Sequence, residues 1–181
     1  MEKTDIKSLD FNELEKRIVE AGLPKFRAGQ IYSWLHTKLV TSFDDCSNLS
    51  KDLRDKLKEE YYITEAIPER IQTSQIDGTQ KYLFKLPDGN YVESVLMKYH
   101  HGNSVCISSQ VGCRMGCRFC ASTLDGLTRC LKPSEMLEQI YRIQALTGER
   151  VSNVVIMGTG EPMDNYDNFI KFVHMLTDDR A

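Results

Sequence analysis

The first part of the chain carries apolar residues at the spacing of α-helices. Apolar side chains recur every three or four positions over residues 11–23, which predicts an amphipathic helix. A second helix is predicted over residues 24–40, because Pro24 is favoured in a first helical turn. A third is predicted over residues 49–61, where every fourth residue is apolar. We therefore expect a small helical accessory domain over residues 1–70.

The apolar period then changes to two, which is the period of β-strands. Apolar and charged side chains alternate over residues 81–86, and the turn-forming sequence Pro87–Asn90 follows. Residues 91–99 return as a second strand, so a β-hairpin is predicted. We expect residues 71–103 to form this hairpin and the link to the next domain.

The last part of the chain predicts strands and helices in alternation. A strand is expected at Val105–Ser108, a helix beginning at Pro133, a second strand at Val154–Met157 and a second helix after it. This order implies a parallel sheet in an α/β fold. The continuously apolar Val154–Met157 predicts a strand buried on both faces. Because no third strand follows, we expect residues 104–181 to be the incomplete first part of a larger α/β domain.

Composition places few limits on the partners. A hydrophobic content of 41% with 27% charged residues is typical of a soluble globular protein. No apolar run reaches membrane-spanning length and the N-terminus lacks a signal-peptide pattern, so we expect no membrane association. Six cysteines without an export signal favour a reducing compartment, the cytoplasm. A net charge of −3 still permits an RNA-facing surface, for which the predicted helices offer Lys25, Arg27, Lys38, Lys51, Arg54, Lys56 and Lys58.

Three closely spaced cysteines are the most informative chemical feature of the chain. Cys113, Cys117 and Cys120 form a Cys-x3-Cys-x2-Cys segment, which supplies three thiolates and no fourth ligand. Thiolates are soft ligands that suit iron–sulfur clusters and zinc. A structural zinc site is closed by four protein ligands. The spacing therefore favours a cluster that keeps one iron open for a substrate.

With Phe119 directly before Cys120, the segment resembles the signature of the radical S-adenosylmethionine enzymes. The resemblance implies a 4Fe–4S cluster held by Cys113, Cys117 and Cys120, with S-adenosylmethionine at the open iron. It also implies that residues 104–181 form the first βα units of a partial (β/α) barrel. Phe119 itself is expected either to face the cluster or a nucleobase, or to pack against the core.

A second segment, Met157–Pro162, follows the next predicted strand. It resembles the Gly-Glu-Pro segment of the same superfamily. The resemblance implies that Gly160 and Glu161 contact S-adenosylmethionine, with the Glu161 carboxylate holding the methionine ammonium.

A narrower family resemblance surrounds both motifs. Cys106–Cys120 and Asn153–Pro162 resemble the adenine-C2 RNA methyltransferases of the RlmN family, as does a helical N-terminal domain joined by a hairpin. The resemblance implies that Glu93 is the proton acceptor of the reaction. It implies that Cys106 is the thiol that resolves the protein–RNA adduct and pairs transiently with a second cysteine.

The resemblance also implies a reaction and its partners. Members of the family methylate carbon 2 of an adenosine in 23S ribosomal RNA and in transfer RNA. A C-terminal cysteine is methylated first, and a carbon radical made from that methyl group adds to the adenine ring. An electron donor such as flavodoxin or ferredoxin is the implied redox partner. That cysteine has no counterpart among the 181 residues, so we expect a C-terminally truncated member that does not complete a turnover alone.

Other functions remain open at this point. An adenine-C8 ribosomal RNA methylase or a glycyl-radical activase would share the cysteine segment. Intact Glu161-Pro162 favours the C2 enzyme over the first, and Glu93 with the helical domain counts against the second. A zinc-binding RNA module would need a fourth ligand such as Cys106 or Cys130, the latter otherwise expected to be structural. Zinc without sulfide would indicate that module, and iron with sulfide would indicate the enzyme.

Overall fold

The computed structural model describes residues 3–180, which form two compact units. One unit comprises the residues up to Thr64 together with those from Lys171 onward, and the other comprises Glu65–Ile170. All residues of the predicted site fall in the second unit. Across the described residues, the helices are too short or too polar to cross a membrane.

The first unit contains the three predicted helices. They are α1 (Phe11–Glu20), α2 (Phe26–His36) and α3 (Lys51–Glu60), and two short parallel strands, β1 (Thr4–Asp5) and β2 (Tyr61–Tyr62), accompany them. The helices confirm the predicted helical character of this region. Each is slightly shorter than the sequence pattern predicts, because turns occupy the ends of the apolar runs.

Local capping and an apolar face explain why α1 forms where it does. The Asp10 carboxylate accepts a hydrogen bond from the Glu13 N–H (2.9 Å), and the Glu13 carboxylate accepts one from the Asp10 N–H (3.0 Å). This capping box satisfies two N–H groups that the helix itself leaves unpaired. Leu14 and Ile18 lie one turn apart and are buried in the core of this unit.

The predicted basic surface of these helices is partly neutralised by neighbouring acids. Lys25 pairs with Glu15 (2.9 Å) and Lys58 with Asp44 (2.6 Å), while the Arg54 guanidinium donates to the Asp44 carbonyl (2.7 Å). Such exposed pairs contribute little stability, because solvent screens the charges. They do reduce the positive charge that this surface would present to RNA.

The second unit contains seven strands and one complete helix. Its strands are β3 (Ile67–Thr73), β4 (Gln80–Lys85), β5 (Tyr91–Tyr99), β6 (Gly102–Cys106), β7 (Gln110–Gly112), β8 (Leu127–Cys130) and β9 (Val151–Val155). Helix α4 (Pro133–Thr147) precedes β9, and α5 (Tyr166–Leu176) follows it. Five strands form one sheet in the order β3-β4-β5-β6-β9, and β7 pairs with β8 in a separate ribbon.

The main sheet joins the predicted hairpin to a parallel βαβ unit. Strands β3 to β6 are successively antiparallel, and β6 pairs with β9 in parallel through the crossover helix α4. One face of the sheet is buried, through Tyr82, Phe84, Leu96 and Val105, and the alternate residues face outward. Gly148 ends α4 in the left-handed conformation that favours glycine (φ +68°).

One expectation about the sheet is wrong. The apolar run at Val154–Met157 predicted a strand buried on both faces, but β9 lies at the edge of the sheet. Val155 is 38% exposed and Met157 is 82% exposed. Among residues 3–180 no strand pairs with the outer side of β9, which explains why its apolar side chains stay accessible to solvent.

His36 is the most strongly perturbed histidine of the described chain. It is buried at the end of α2, and its ring packs 4.3 Å from that of Tyr32. Burial lowers the pKa of His36 to about 3, with a further decrease from Lys7 and an opposing effect of Asp178. The imidazole is therefore neutral in the folded protein throughout the neutral and mildly acidic range.

We predict that His36→Leu flattens the pH dependence of stability. Between about pH 6.5 and 3 the unfolded chain binds a proton at His36 that the folded protein does not. In the original chain the free energy of unfolding should therefore decrease as the pH is lowered. At pH 5 this group should have reduced it by about 2 kcal/mol relative to neutral pH. Urea unfolding followed by the fluorescence of the single tryptophan, Trp34 in α2, measures this unit.

The exposed His174 of α5 provides the matched control. His174→Leu should keep the pH dependence of the original chain. An equal pH dependence in the His36 variant and the original chain would contradict the assignment of a neutral, buried His36.

Candidate active site

The segments that follow β6 and β9 meet at one edge of the sheet. Parallel strands end on the same side, and the hydrogen bonding continues beyond both of them. Ile107 N–H donates to the Val155 carbonyl (2.9 Å), and Gly158 N–H donates to the Ile107 carbonyl (3.0 Å). Ser109 N–H donates to the Thr159 carbonyl (2.9 Å). Segments about fifty residues apart in sequence therefore lie side by side, at the edge where α/β proteins place their sites.

Gly158 and Ser108 make this close approach possible. A Cβ at position 158 would lie 2.8 Å from the Ile107 backbone and 2.7 Å from the Ser108 hydroxyl oxygen. That hydroxyl donates to the Glu93 carbonyl (2.7 Å) and accepts from the Thr159 N–H (3.0 Å). Ser108 therefore links β5 to both segments, and only glycine fits at position 158.

The cysteine segment is held between the strands of the β7–β8 ribbon. Gly112, at the end of β7, has φ +73°, and a Cβ there would lie 2.0 Å from the Gly126 carbonyl oxygen. The next residue, Cys113, donates its N–H to the same oxygen (2.9 Å). The sequence reasoning missed this ribbon. It fixes the first cysteine against the return strand.

The three predicted ligands lie on one loop but differ in exposure. All three are free thiols; Cys113 is buried, Cys117 is exposed and Cys120 is half-buried. Cys120 N–H donates to the Cys117 carbonyl (3.1 Å), which closes a turn between them. Phe119 is 94% exposed, so the expectation that it packs against the core is wrong. Its predicted contact with a cluster or a nucleobase stays a prediction.

The thiols do not converge on a common point. Within residues 3–180, no three side chains of Cys, His, Asp or Glu lie close enough together to hold a metal ion. This holds for Cys113, Cys117 and Cys120, and equally for sets that include Cys106 or Cys130. The cluster and the zinc alternative therefore both stay predictions.

The predicted cofactor segment is packed tightly against β7. Gly160 has φ +103°, and a Cβ there would lie 2.5 Å from the Gln110 Cβ. Glu161 N–H donates to the Gln110 side-chain oxygen (2.9 Å). The Glu161 carboxylate accepts from the Met163 N–H (3.1 Å) at the start of a short 3-10 turn, Pro162–Asn165. The backbone of Gly160 and Glu161 is thereby fixed beside the cysteine-bearing ribbon.

Glu93 and Cys106 lie on neighbouring strands. Cys106 is the register partner of Val95, so Glu93, two residues before Val95 on β5, is on the same face of the sheet. The exposed Glu93 carboxylate accepts a hydrogen bond from the Lys81 ammonium (2.8 Å), and the Cys106 thiol is half-buried. The structure brings the two residues together on one face. Their catalytic roles stay predictions.

Several polar residues of the site were missed by the sequence reasoning. Gln110 contacts Glu161 and also donates to Asp164 (3.0 Å), and Asp164 pairs with Arg114 of the cysteine loop. The buried Asn165 amide donates to the carbonyls of Ser109 (2.9 Å) and Leu131 (2.8 Å). The signal in the sequence was the polar run Ser108–Gln110, directly after a buried strand. Such a run needs partners when it is buried.

Comparison with known proteins agrees with the sequence motifs. Residues 4–63 match the family model described as the ribosomal RNA large subunit methyltransferase N-terminal domain. A protein of Lachnospira eligens named "Probable dual-specificity RNA methyltransferase RlmN" is 70% identical over 180 residues. Proteins of the same name from Alkaliphilus oremlandii and Bacillus cereus are 54% and 49% identical.

A solved structure is also similar, the crystal structure of a radical SAM methyltransferase from Sphaerobacter thermophilus. Its TM-score is 0.89 with 37% sequence identity, and the match covers 98% of this chain and 53% of that one. The resemblance to the RlmN family is confirmed. The likeness also confirms the predicted fold class, a helical domain and hairpin followed by βα units of a radical SAM core.

The RlmN resemblance is a match to part of longer proteins. The three relatives are covered to 51%, 52% and 51% of their lengths, although 98% to 100% of this chain is matched. The chain therefore spans about half the length of the curated relatives it matches. Both segments of the candidate site lie in the matched half.

We predict that Gly112→Ala opens the β7–β8 ribbon. Its Cβ would collide with the Gly126 carbonyl oxygen at 2.0 Å and would also be strained by the positive φ. The free energy of unfolding should fall by about 2–3 kcal/mol. The buried Cys113 should react about tenfold faster with an alkylating reagent, as measured by mass spectrometry of the labelled peptide.

Gly126→Ala is the matched control, because Gly126 has a similar φ (+70°) but no atom within 4 Å of an added Cβ. It should cost only the left-handed strain, about 1–2 kcal/mol. Equal labelling of Cys113 in the two variants would contradict the role assigned to the close contact.

Proposed function

We propose that this chain carries the cluster-binding and cofactor-binding half of a radical S-adenosylmethionine methyltransferase that acts on carbon 2 of adenosine in RNA. The observation that carries the proposal is the meeting of two motifs at one edge of the sheet. The cysteine segment follows β7, and the Gly160-Glu161 segment follows β9. Gln110, at the start of β7, is hydrogen-bonded to Thr159 and to Glu161.

The donor set fits a 4Fe–4S cluster with three protein ligands. Cys113, Cys117 and Cys120 are free thiols on one loop, and thiolates are the ligands that such clusters use. Closing around a cluster requires the thiols to approach one another. The turn that must adjust is exposed, and Gly116 within it has no neighbour within 4 Å of an added Cβ.

The neighbouring segment supplies groups suited to S-adenosylmethionine. Gly160 is half-buried and has no side chain to cover its backbone. The Glu161 carboxylate is the acceptor for the methionine ammonium in this proposal. When bound, the cluster and S-adenosylmethionine supply one-electron chemistry, which is needed because carbon 2 of adenine is electron-poor and its C–H bond is not acidic. The chain's own contribution is to hold both groups at one edge of the sheet.

Two further residues have proposed roles on the open face of the sheet. Glu93 accepts the proton from carbon 2. The Cys106 thiolate attacks the sulfur of the methyl-carrying cysteine, so that a disulfide forms as the sulfur–carbon bond of the adduct breaks, and the released carbon keeps the electron pair and takes up a proton. Support comes from their position on one face of adjacent strands, and from the hydrogen bond of the Ser108 hydroxyl to the Glu93 carbonyl (2.7 Å). Lys81 holds the Glu93 carboxylate in place through a 2.8 Å hydrogen bond.

The proposed substrates are 23S ribosomal RNA and transfer RNA, in the cytoplasm. The relatives' names specify a dual-specificity RNA methyltransferase, and the first unit matches an N-terminal domain of ribosomal RNA methyltransferases. The reaction also requires a methyl-carrying cysteine, for which the resemblance assigns none of the six in this chain. An electron donor of the flavodoxin or ferredoxin class completes the proposal.

We predict that Cys117→Ala abolishes cluster assembly. After anaerobic reconstitution, the original chain should contain about four iron and four sulfide ions per molecule. The variant should retain less than about a tenth of that iron, because two thiolates do not hold such a cluster. Iron, sulfide and zinc are quantified on the same desalted samples.

Cys46→Ala is the matched control, since Cys46 is a buried core residue of the other unit. It should leave the iron and sulfide content unchanged. Zinc without sulfide in the original chain would contradict the proposal and favour the zinc-binding RNA module.

A further inference from the structure

A buried amide, that of Gln110, lies between the two segments of the candidate site. Gln110 is the first residue of β7 and is fully buried. Burying an amide without hydrogen bonds is costly, so its partners determine its conformation. Both polar atoms of the side chain have hydrogen-bond partners outside the β7–β8 ribbon.

The amide holds both ends of the turn that follows Gly160. Its Oε1 accepts from the Glu161 N–H (2.9 Å), and its Nε2 donates to the Asp164 carboxylate (3.0 Å). Nε2 also donates to the Cys130 sulfur (3.4 Å). Asp164 N–H donates to the Glu161 carbonyl (3.0 Å), so the turn is closed by its own backbone hydrogen bond.

The backbone adds a second set of contacts at the same place. Gln110 N–H donates to the Thr159 carbonyl (3.2 Å), and Gly160 lies so close that a Cβ there would be 2.5 Å from the Gln110 Cβ. The cofactor segment therefore rests directly on Gln110. A change in the Gln110 side chain should therefore displace the cofactor segment, because the contact with Gly160 leaves no free space.

Asp164 continues the connection to the cysteine loop. Its second oxygen accepts from the guanidinium of Arg114, the residue after Cys113. Hydrogen bonds from Arg114 and from Gln110 hold the pKa of Asp164 below its usual range. The carboxylate therefore accepts from both donors. The Glu161 N–H donates to the Gln110 amide oxygen, the Gln110 amide nitrogen donates to Asp164, and Arg114 donates to Asp164 from the other side.

We propose that Gln110 is a positioning residue that sets the separation between the cysteine loop and the cofactor segment Gly160–Glu161. Its consequence for S-adenosylmethionine rests on the proposed function, whereas the hydrogen-bond arrangement belongs to the chain itself. An amide is needed because the position requires an acceptor toward Glu161 and a donor toward Asp164. A carboxylate offers only acceptors and would repel Asp164.

The polarity of the network can be reversed to test this role. Gln110→Glu keeps the size of the side chain but places a second carboxylate against Asp164. Adding Asp164→Asn restores the pair with opposite polarity, because the introduced amide donates to the introduced carboxylate. Its carbonyl oxygen still accepts from Arg114. A residue that merely fills space would not respond to this rescue.

Two readouts apply to each variant. One is the dissociation constant for S-adenosylmethionine of the anaerobically reconstituted chain, and the other is the exchange rate of the Glu161 amide proton in the iron-free chain by NMR. Gln110→Glu should weaken binding and accelerate exchange by about tenfold each, with unchanged iron content. The double variant should return both to within about threefold of the original chain.

Gln144→Glu is the matched control, because the Gln144 side chain also accepts from a backbone N–H, that of Val151 (2.9 Å), but lies outside the site. It should leave both readouts unchanged. Unchanged readouts in Gln110→Glu, or a loss that Asp164→Asn does not restore, would overturn the proposal. If the original chain assembles a cluster but does not bind S-adenosylmethionine, the proposed function fails, while the amide exchange still decides the role of Gln110.

Discussion

The parallel pairing of β6 with β9 is the interaction on which the candidate site depends. The ladder continues past both strands, so that the segments after Cys106 and Val155 lie side by side. Close approach requires a glycine at position 158, and buried polar side chains, Ser108 and Gln110 among them, hold the two segments together. Satisfied polar networks of this kind favour one arrangement of a site over others. Without the pairing, the two motifs would remain separate loops.

The coarse fold follows from features that are local in sequence. Helices α1 and α3 have apolar faces and side-chain caps, α4 begins at Pro133 and ends before Gly148, and the β4–β5 hairpin has turn residues between alternating strands. The ribbon of β7 and β8 could not be predicted in this way. Its strands are three and four residues long and pair across a loop rich in glycine and cysteine. Periodicity needs longer segments to be visible.

The candidate site likewise has parts that the sequence predicts and parts that it does not. The cysteine spacing and the Gly160-Glu161 segment are readable because their chemistry requires particular residue types at particular positions. The role of Gln110 depends on partners about fifty residues away, which the polar run Ser108–Gln110 does not identify. The exposure of β9 could not be predicted from the sequence either. An apolar run does not reveal whether a strand lies at the centre or at the edge of its sheet.

We infer that the two motifs at this edge together hold a cluster and S-adenosylmethionine. Electron–nuclear double resonance on the reconstituted, reduced chain tests this most directly, with S-adenosylmethionine labelled in its amino nitrogen and carboxylate oxygens. Binding of the cofactor at the cluster predicts hyperfine coupling of both labelled groups to the cluster, lost when the cofactor is omitted. A reduced cluster without coupling to either group would contradict it.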